Sequence, residues 1–354
     1  MTNADQSVTT SASDCQAVIP PPGRFDAETE ARLDGIDRDA TKHVEDNRPA
    51  KTRNGYAADW RAWEAFCQET NLPPLAVRSG TLVLFVEWCW IQPGYKAALF
   101  MAPSTIDRRL AGVVVTARRQ HKLHLQKDVA EEARALLKAK VKAMEKSGEH
   151  RGRGQAPALL VRHMERIVRT LPDDLSGVRD LSLMTMHFAI AGRAHEVGWL
   201  RERHITEDSE GRGLLVDVRI SKNYPRVVQV PYGSRAHLCP VRAWRRWREA
   251  SGIGADPDGF AYRRLHSRHH TVMGAGLDAE SVGDVITRLA ERAQLDIRPT
   301  GHSPRRGLVT ESSRAGNPDA VAEKQGGWAK GSKVMRRYRE DDDGFTENAL
   351  HGVL

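Results

Sequence analysis

The sequence predicts a mainly α-helical protein in two domains, a helical one followed by an α+β one with a small antiparallel sheet. Three observations predict it. Amphipathic helical patterns fill residues 50–146 without a convincing strand. The stretch Lys146–Gln155 then carries three glycines and no apolar residue, a linker composition. Beyond it, two β-branched runs, Leu214–Ile220 and Arg226–Pro231, stand among helical segments. At roughly 100–200 residues per domain, 354 residues suffice for two cores. The expected divisions are a disordered acidic leader over 1–45, a helical domain over 46–146, a linker over 147–155 and the second domain over 156–354.

The leader is polar and broken at Pro20-Pro21-Pro22-Gly23. From Thr52, the residues Tyr56, Trp60, Trp63 and Cys67 recur at helical spacing, and Pro73-Pro74 ends the pattern. Thr81–Trp90 predicts a second helix, apolar on every side and therefore buried, closed by Pro93-Gly94. A third is expected to open at Ser104, with Asp107 three residues on. Its inner stripe is Ile106, Leu110, Val113 and Ala117, which leaves Arg108, Arg109, Arg118, Arg119 and Lys122 off the stripe. Asp128–Lys146 is the fourth, with Ala133, Leu136, Leu137, Val141 and Met144 inside.

In the second domain, helices are expected over Leu159–Leu171, Leu175–Ala191, Arg193–Leu200, Pro240–Ala250, Glu280–Leu295, Pro304–Arg314 and Asp319–Gln325, with a last one leading into Tyr338. The two strands are joined by Ser221-Lys222-Asn223-Tyr224-Pro225, and a third short strand is expected near His204–Thr206.

Charge narrows the partner. The chain holds 54 Lys+Arg against 46 Asp+Glu, net +8, yet residues 1–45 carry nine acids and four bases. The rest must therefore carry +13, which favours a polyanion. Arginines outnumber lysines 41 to 13; their forked donors suit phosphate, although a GC-rich coding sequence gives the same ratio.

Other classes recede. The longest apolar run, Thr81–Ile91, is interrupted by Glu87 and falls short of the ~18 residues of a membrane span. The first residues lack a basic n-region and an apolar h-region, so a cytoplasmic, nucleoid-associated location without a membrane partner is expected. Cys15, Cys67, Cys89 and Cys239 are too scattered for a disulfide framework or a Cys-based zinc site. The tract Arg263–His270 has arginines and histidines but neither cysteine nor carboxylate, and reads as a basic loop rather than a metal site.

Four elements of the second domain suit phosphate chemistry. Arg193-Ala-His-Glu196 opens a helix, and residues three apart share a face, so Glu196 can hold the guanidinium. An R-x-x-E on a helix is, by itself, ordinarily a surface ion pair. Lys222 lies in the hairpin turn, within reach of a leaving oxygen or merely solvated. In Gly301-His302-Ser303-Pro304-Arg305, Ser303 has cap chemistry and Pro304 suits the first helical position. That places Arg305 at a helix N-terminus, where anions bind. Gly326-Gly327-Trp328 precedes Tyr338, which sits among Arg336, Arg337 and Arg339.

In this order, Arg…Lys…His-x-x-Arg…Trp…Tyr, the four elements resemble the tyrosine recombinase (phage integrase) family, and Gly-His-Ser-x-Arg and Gly-Gly-Trp resemble its Cre-like subgroup. The resemblance covers roughly residues 50–350. It departs from the family pattern in having Ala191-Gly192 before Arg193 and a Trp328-to-Tyr338 gap one residue longer.

The resemblance implies a DNA breaking-rejoining fold with an N-terminal core-binding domain and a catalytic domain. Arg193, Lys222, His302, Arg305, Trp328 and Tyr338 would be catalytic, with Glu196 behind them. It implies a site-specific recombinase that forms a 3′-phosphotyrosyl intermediate with no metal or other cofactor. Its partners would be double-stranded DNA bearing inverted-repeat sites and three further copies of itself in a tetramer. Arg108, Arg109, Arg118, Arg119, Lys122 and Arg245 are the candidate DNA contacts. A type IB topoisomerase-like nicking-resealing enzyme and an inactive DNA-binding accessory protein are the alternatives.

Overall fold

The structure, a computed structural model, describes residues 25–94, 100–152, 154–221, 225–268, 271–339 and 350. The chain divides into two compact units, residues 1–153 and 154–354.

The first unit begins differently from the expected unstructured leader: Ala27–Asp46 forms a helix, α1. The Asp26 carboxylate accepts the Thr29 N–H at 2.8 Å, and Glu28 and Glu30 occupy the positive first turn. No residue of α1 is buried, and its apolar residues Leu33, Ile36 and Val44 are exposed. Capping and charge placement, rather than a core-facing stripe, therefore favour the helix.

Four helices follow: α2 (Ala50–Glu69), α3 (Ser79–Ile91), α4 (Pro103–Arg119) and α5 (Glu131–Ser147). Trp63, Phe66, Phe85, Leu82, Ile106 and Leu110 are buried together at their centre, with Trp63 edge-on to Phe85 at 5.2 Å. α3 is not buried all round, because Leu84 and Ile91 face outward. α4 starts one residue before Ser104, with Pro103 in its first turn and Ala102 as the cap.

The second unit holds α6 (Val161–Val168), α7 (Leu175–Ala189) and α8 (Ala194–Gly198), then an antiparallel sheet in the order β1 (Ile205–Glu207), β2 (Gly213–Val218), β3 (Arg226–Pro231). Val216 pairs with Ile205 on one side and Val228 on the other, which fixes the inward face. Helix α9 (Pro240–Ser251) buries Trp244 and Trp247 and turns its arginines out.

The Arg263–His270 tract contributes to a second hairpin, β4 (Arg263–Leu265) and β5 (Val272–Gly276), rather than lying wholly in a loop. The tract gave no strand signal because its strand is short and charged; Arg263 is buried and bonded to Asp256 at 2.8 Å.

The chain continues through α10 (Ala279–Arg292), α11 (Ser303–Arg314), α12 (Asp319–Gly326) and α13 (Lys333–Arg336). α11 lies so close to the strand-like segment before α6 that a side chain at Gly307 would strike the Leu159 carbonyl. Among the described residues, no helix is long and apolar enough to cross a membrane.

Candidate active site

The site grows from the turn that closes α7. Ile190, Ala191 and Gly192 reverse the chain, and Ala191 is left-handed at φ +45° without the freedom of glycine. Arg193 then caps α8. Its backbone N–H donates to Glu196 Oε2 at 3.0 Å, and its Nη1 donates to Oε1 at 2.7 Å. The expected R-x-x-E pair is therefore a buried clamp rather than a surface ion pair, since Glu196 is 2% exposed.

Glu196 also accepts from Arg226 Nη2 at 3.0 Å and from Ser221 Oγ at 3.0 Å. Burial alone would push its carboxyl pKa up. The bonded, charged Arg226 and the Arg193 donors outweigh that and hold it at about 2. Arg226 itself was not a sequence candidate. It is the first residue of β3 and counted there only as a strand boundary, yet it places a third guanidinium in the site. It also bonds the carbonyls of Gln325 and Ile190, and its Nη1 has no hydrogen-bond partner among the described residues.

Arg305 is 1% exposed. Its Nη1 donates to the Ala191 carbonyl, while Nε and Nη2 have no partner among the described residues. Burial and the neighbouring charges of Arg193 and Arg226 weaken its hold on its proton, although Glu196 and Tyr338 oppose them. A guanidinium of ordinary pKa above 12 stays charged under such a load. Three arginines facing one carboxylate leave a cationic pocket with unused buried donors, the electrostatic signature of an anion site.

α11 begins one residue earlier than the capping pattern suggested. Ser303 is its first helical residue, and His302 holds the cap position. The Ser303 hydroxyl instead accepts from Thr300 N–H at 2.8 Å. His302 is exposed at the helix entrance.

Gly327, left-handed at φ +67°, ends α12, and a side chain at Gly326 would collide with the Trp328 ring, so this turn needs both glycines. Trp328 presents its ring to Arg305, 3.6 Å from guanidinium carbon to ring centroid, and meets Tyr338 edge-on at 5.8 Å. Ser332 caps α13 and donates its own N–H to buried Glu323 at 2.9 Å. Tyr338 follows directly, its carbonyl accepting from Thr310 Oγ1 at 3.1 Å and Arg306 Nε at 3.4 Å. The arginines around it are less free than their spacing suggested, because Arg336 and Arg339 both pair with Asp319.

Arg193, Glu196, Arg305, Trp328 and Tyr338 thus come together, with His302 at the rim. Lys222 lies outside the described residues, as do Asn223, Tyr224 and the tail 351–354.

The candidate DNA contacts differ in how free they are. Arg108 pairs at 2.5 Å with Asp59, a fully buried carboxylate, and Arg109 turns inward toward Cys89. These two are structural first. Arg118 donates to the Leu125 and Gln126 carbonyls, closing the turn after α4. Arg119 and Lys122 are exposed. Arg245 grips Glu207 through two bonds of 2.9 and 2.6 Å.

No family model matches the chain. It is 25% identical over 334 residues to the integrase/recombinase XerD homologue of Selenomonas ruminantium, covering 91% of each chain. Its fold matches XerH site-specific recombinase bound to palindromic difH substrate (TM-score 0.59, 13% identity, 87% of this chain and 82% of that one). It also matches a lambda integrase dimer bound to a COC′ core site (TM-score 0.54, 13% identity, 90% and 82%). A helical unit followed by an α+β unit with a small antiparallel sheet is the tyrosine recombinase fold of these solved structures, and the chain shares it. Its 25% likeness to the XerD homologue extends over nearly the whole chain.

Proposed function

We propose that the protein is a site-specific DNA recombinase that cuts and rejoins strands through a 3′-phosphotyrosyl intermediate, working as a tetramer on paired inverted-repeat sites. One observation carries this reading most: a buried Arg305 with two unused donor atoms shares its pocket with Tyr338.

A phosphodiester resists attack because its charge repels nucleophiles and its leaving alkoxide is poor. Arg193 and Arg305 bind the non-bridging oxygens and offset the charge that grows at the pentacoordinate phosphorus. The Tyr338 oxygen forms a bond to phosphorus, its proton passing toward His302. The bond to the 5′ oxygen breaks, and Lys222 supplies the proton that makes it a hydroxyl. The new phosphotyrosyl ester conserves the bond, so another 5′-hydroxyl can reverse the step on a different strand without ATP or metal. The unmatched basic charge of the chain draws in DNA, and the Gly-His-Ser-x-Arg and Gly-Gly-Trp segments favour the Cre-like subgroup.

A nicked suicide substrate tests this. Wild-type protein is expected to trap a covalent adduct, whereas Tyr338→Phe binds the same DNA and traps none. An adduct of undiminished yield in that variant excludes Tyr338 as nucleophile. Relaxation of a plasmid lacking a recombination site would instead favour the topoisomerase-like reading. Deleting 345–354, whose Phe345, Leu350, Val353 and Leu354 follow an acidic Asp341–Asp343 spacer, should impair recombination more than single-site binding.

A further inference from the structure

One buried group beside the pocket has no part in that chemistry. His187, at the last turn of α7, is fully buried, and its Nε2 lies 3.1 Å from the Gly192 carbonyl. A carbonyl only accepts, so Nε2 carries the hydrogen and Nδ1 is bare. Nδ1 has no partner among the described residues. The Gly192 N–H returns a bond to the His187 carbonyl at 3.1 Å, which latches the two residues twice.

The latched turn carries three consecutive duties. The Ala191 carbonyl takes the Arg305 bond, the Gly192 carbonyl takes the His187 ring, and Arg193 reaches Glu196. Ala191 is held at a φ that L-residues with a side chain seldom adopt, so something outside the turn must hold it there.

We propose that His187 is a positioning residue: its ring clamps the Ala191–Gly192 turn and so sets both guanidiniums of the reaction, Arg193 directly and Arg305 through the Ala191 carbonyl. The inference rests on the recombinase reading above. A neutral donor is what this place requires, since a fourth fixed cation would repel Arg193, Arg226 and Arg305. Burial, with His302 and Arg305 nearby, keeps the imidazole uncharged by lowering its pKa to about 4, against the pull of the Gly192 bond.

The test compares His187→Leu, which removes the donor, with His187→Gln, whose amide nitrogen reaches the same carbonyl. Single-turnover adduct formation at saturating suicide substrate, DNA affinity and melting temperature are measured together. His187→Leu is expected to cleave about 10–100-fold more slowly at unchanged DNA affinity, the loss typical of slight misplacement. His187→Gln is expected to recover most of that rate. Wild-type cleavage by His187→Leu, or equal slowness of a His187→Gln protein that melts like wild type, overturns the proposal. Should the leucine variant not fold, His187→Asn, too short to reach Gly192, takes its place against His187→Gln, and equal rates overturn it. Absence of any wild-type adduct defeats the recombinase reading instead. The clamp is then read from hydrogen exchange of residues 190–193, and an unchanged rate in His187→Leu overturns it.

Discussion

The guanidinium of Arg305 sits over the Trp328 ring at 3.6 Å, so the tryptophan presents its π-face to the arginine that has spare buried donors. An indole N–H can also donate to a phosphate oxygen, and the ring contact is a second duty for the same side chain. A desolvated cation–π contact contributes about 2 kcal/mol.

Two substitutions separate these duties. Trp328→Phe keeps a face for Arg305 and loses the N–H, whereas Trp328→Ala loses both. Cleavage rates should fall in the order wild type, Phe, Ala, with a gap of about 10–30-fold between Phe and Ala if the face fixes Arg305. Equal rates for the two variants would assign the whole effect to the N–H.

Glu196 gives a pH prediction. Its folded pKa of about 2 lies below the ordinary 4.5, so the deprotonated form is the stabilised one. Its contribution, ~3 kcal/mol, is complete above pH 4.5 and is lost as pH falls toward 2. Stability of Glu196→Gln should vary less with pH in that window. Glu196→Ala leaves Arg193 and Arg226 without their shared carboxylate and should cost about 3–5 kcal/mol in chemical denaturation at pH 7.

The basic residues outside the pocket divide by their existing partners. Arg119→Ala should lower the slope of log affinity against log salt by about one if it meets a phosphate. Arg245→Ala breaks an exposed pair with Glu207 and should change stability by less than about 1 kcal/mol. Titrations at several salt concentrations show whether Arg245 also carries a salt-dependent contact.

Periodicity was most informative where side chains pack. The Tyr56–Cys67 stripe, the Trp244/Trp247 pair and the two long strands all lie where their spacing suggested, because each repeats on a face that must be buried. It failed where structure rests on something other than a repeat. α1 depends on its cap, and the Arg263 strand is held by Asp256 and the Phe260 carbonyl. Motif spacing marked Arg193, Glu196, His302, Arg305, Trp328 and Tyr338, but not Arg226 or His187. An arginine opening a strand and a histidine within an apolar helix look ordinary in sequence, and only the turn that closes α7, with α8 and α12 beside it, gives them partners. Arg109 shows the converse, a helix arginine that looked free and instead points at Cys89.

Tyr338 is joined to α11 through its own backbone carbonyl, which Thr310 and Arg306 hold. The segments bearing Arg193, Arg226 and Arg305 all leave the ribosome before it does. On the proposed reading, a nascent chain made only as far as α11 carries the three arginines before it carries the nucleophile. The cradle is completed by the same late segment, because Arg226 bonds the Gln325 carbonyl and Arg305 lies on the Trp328 ring.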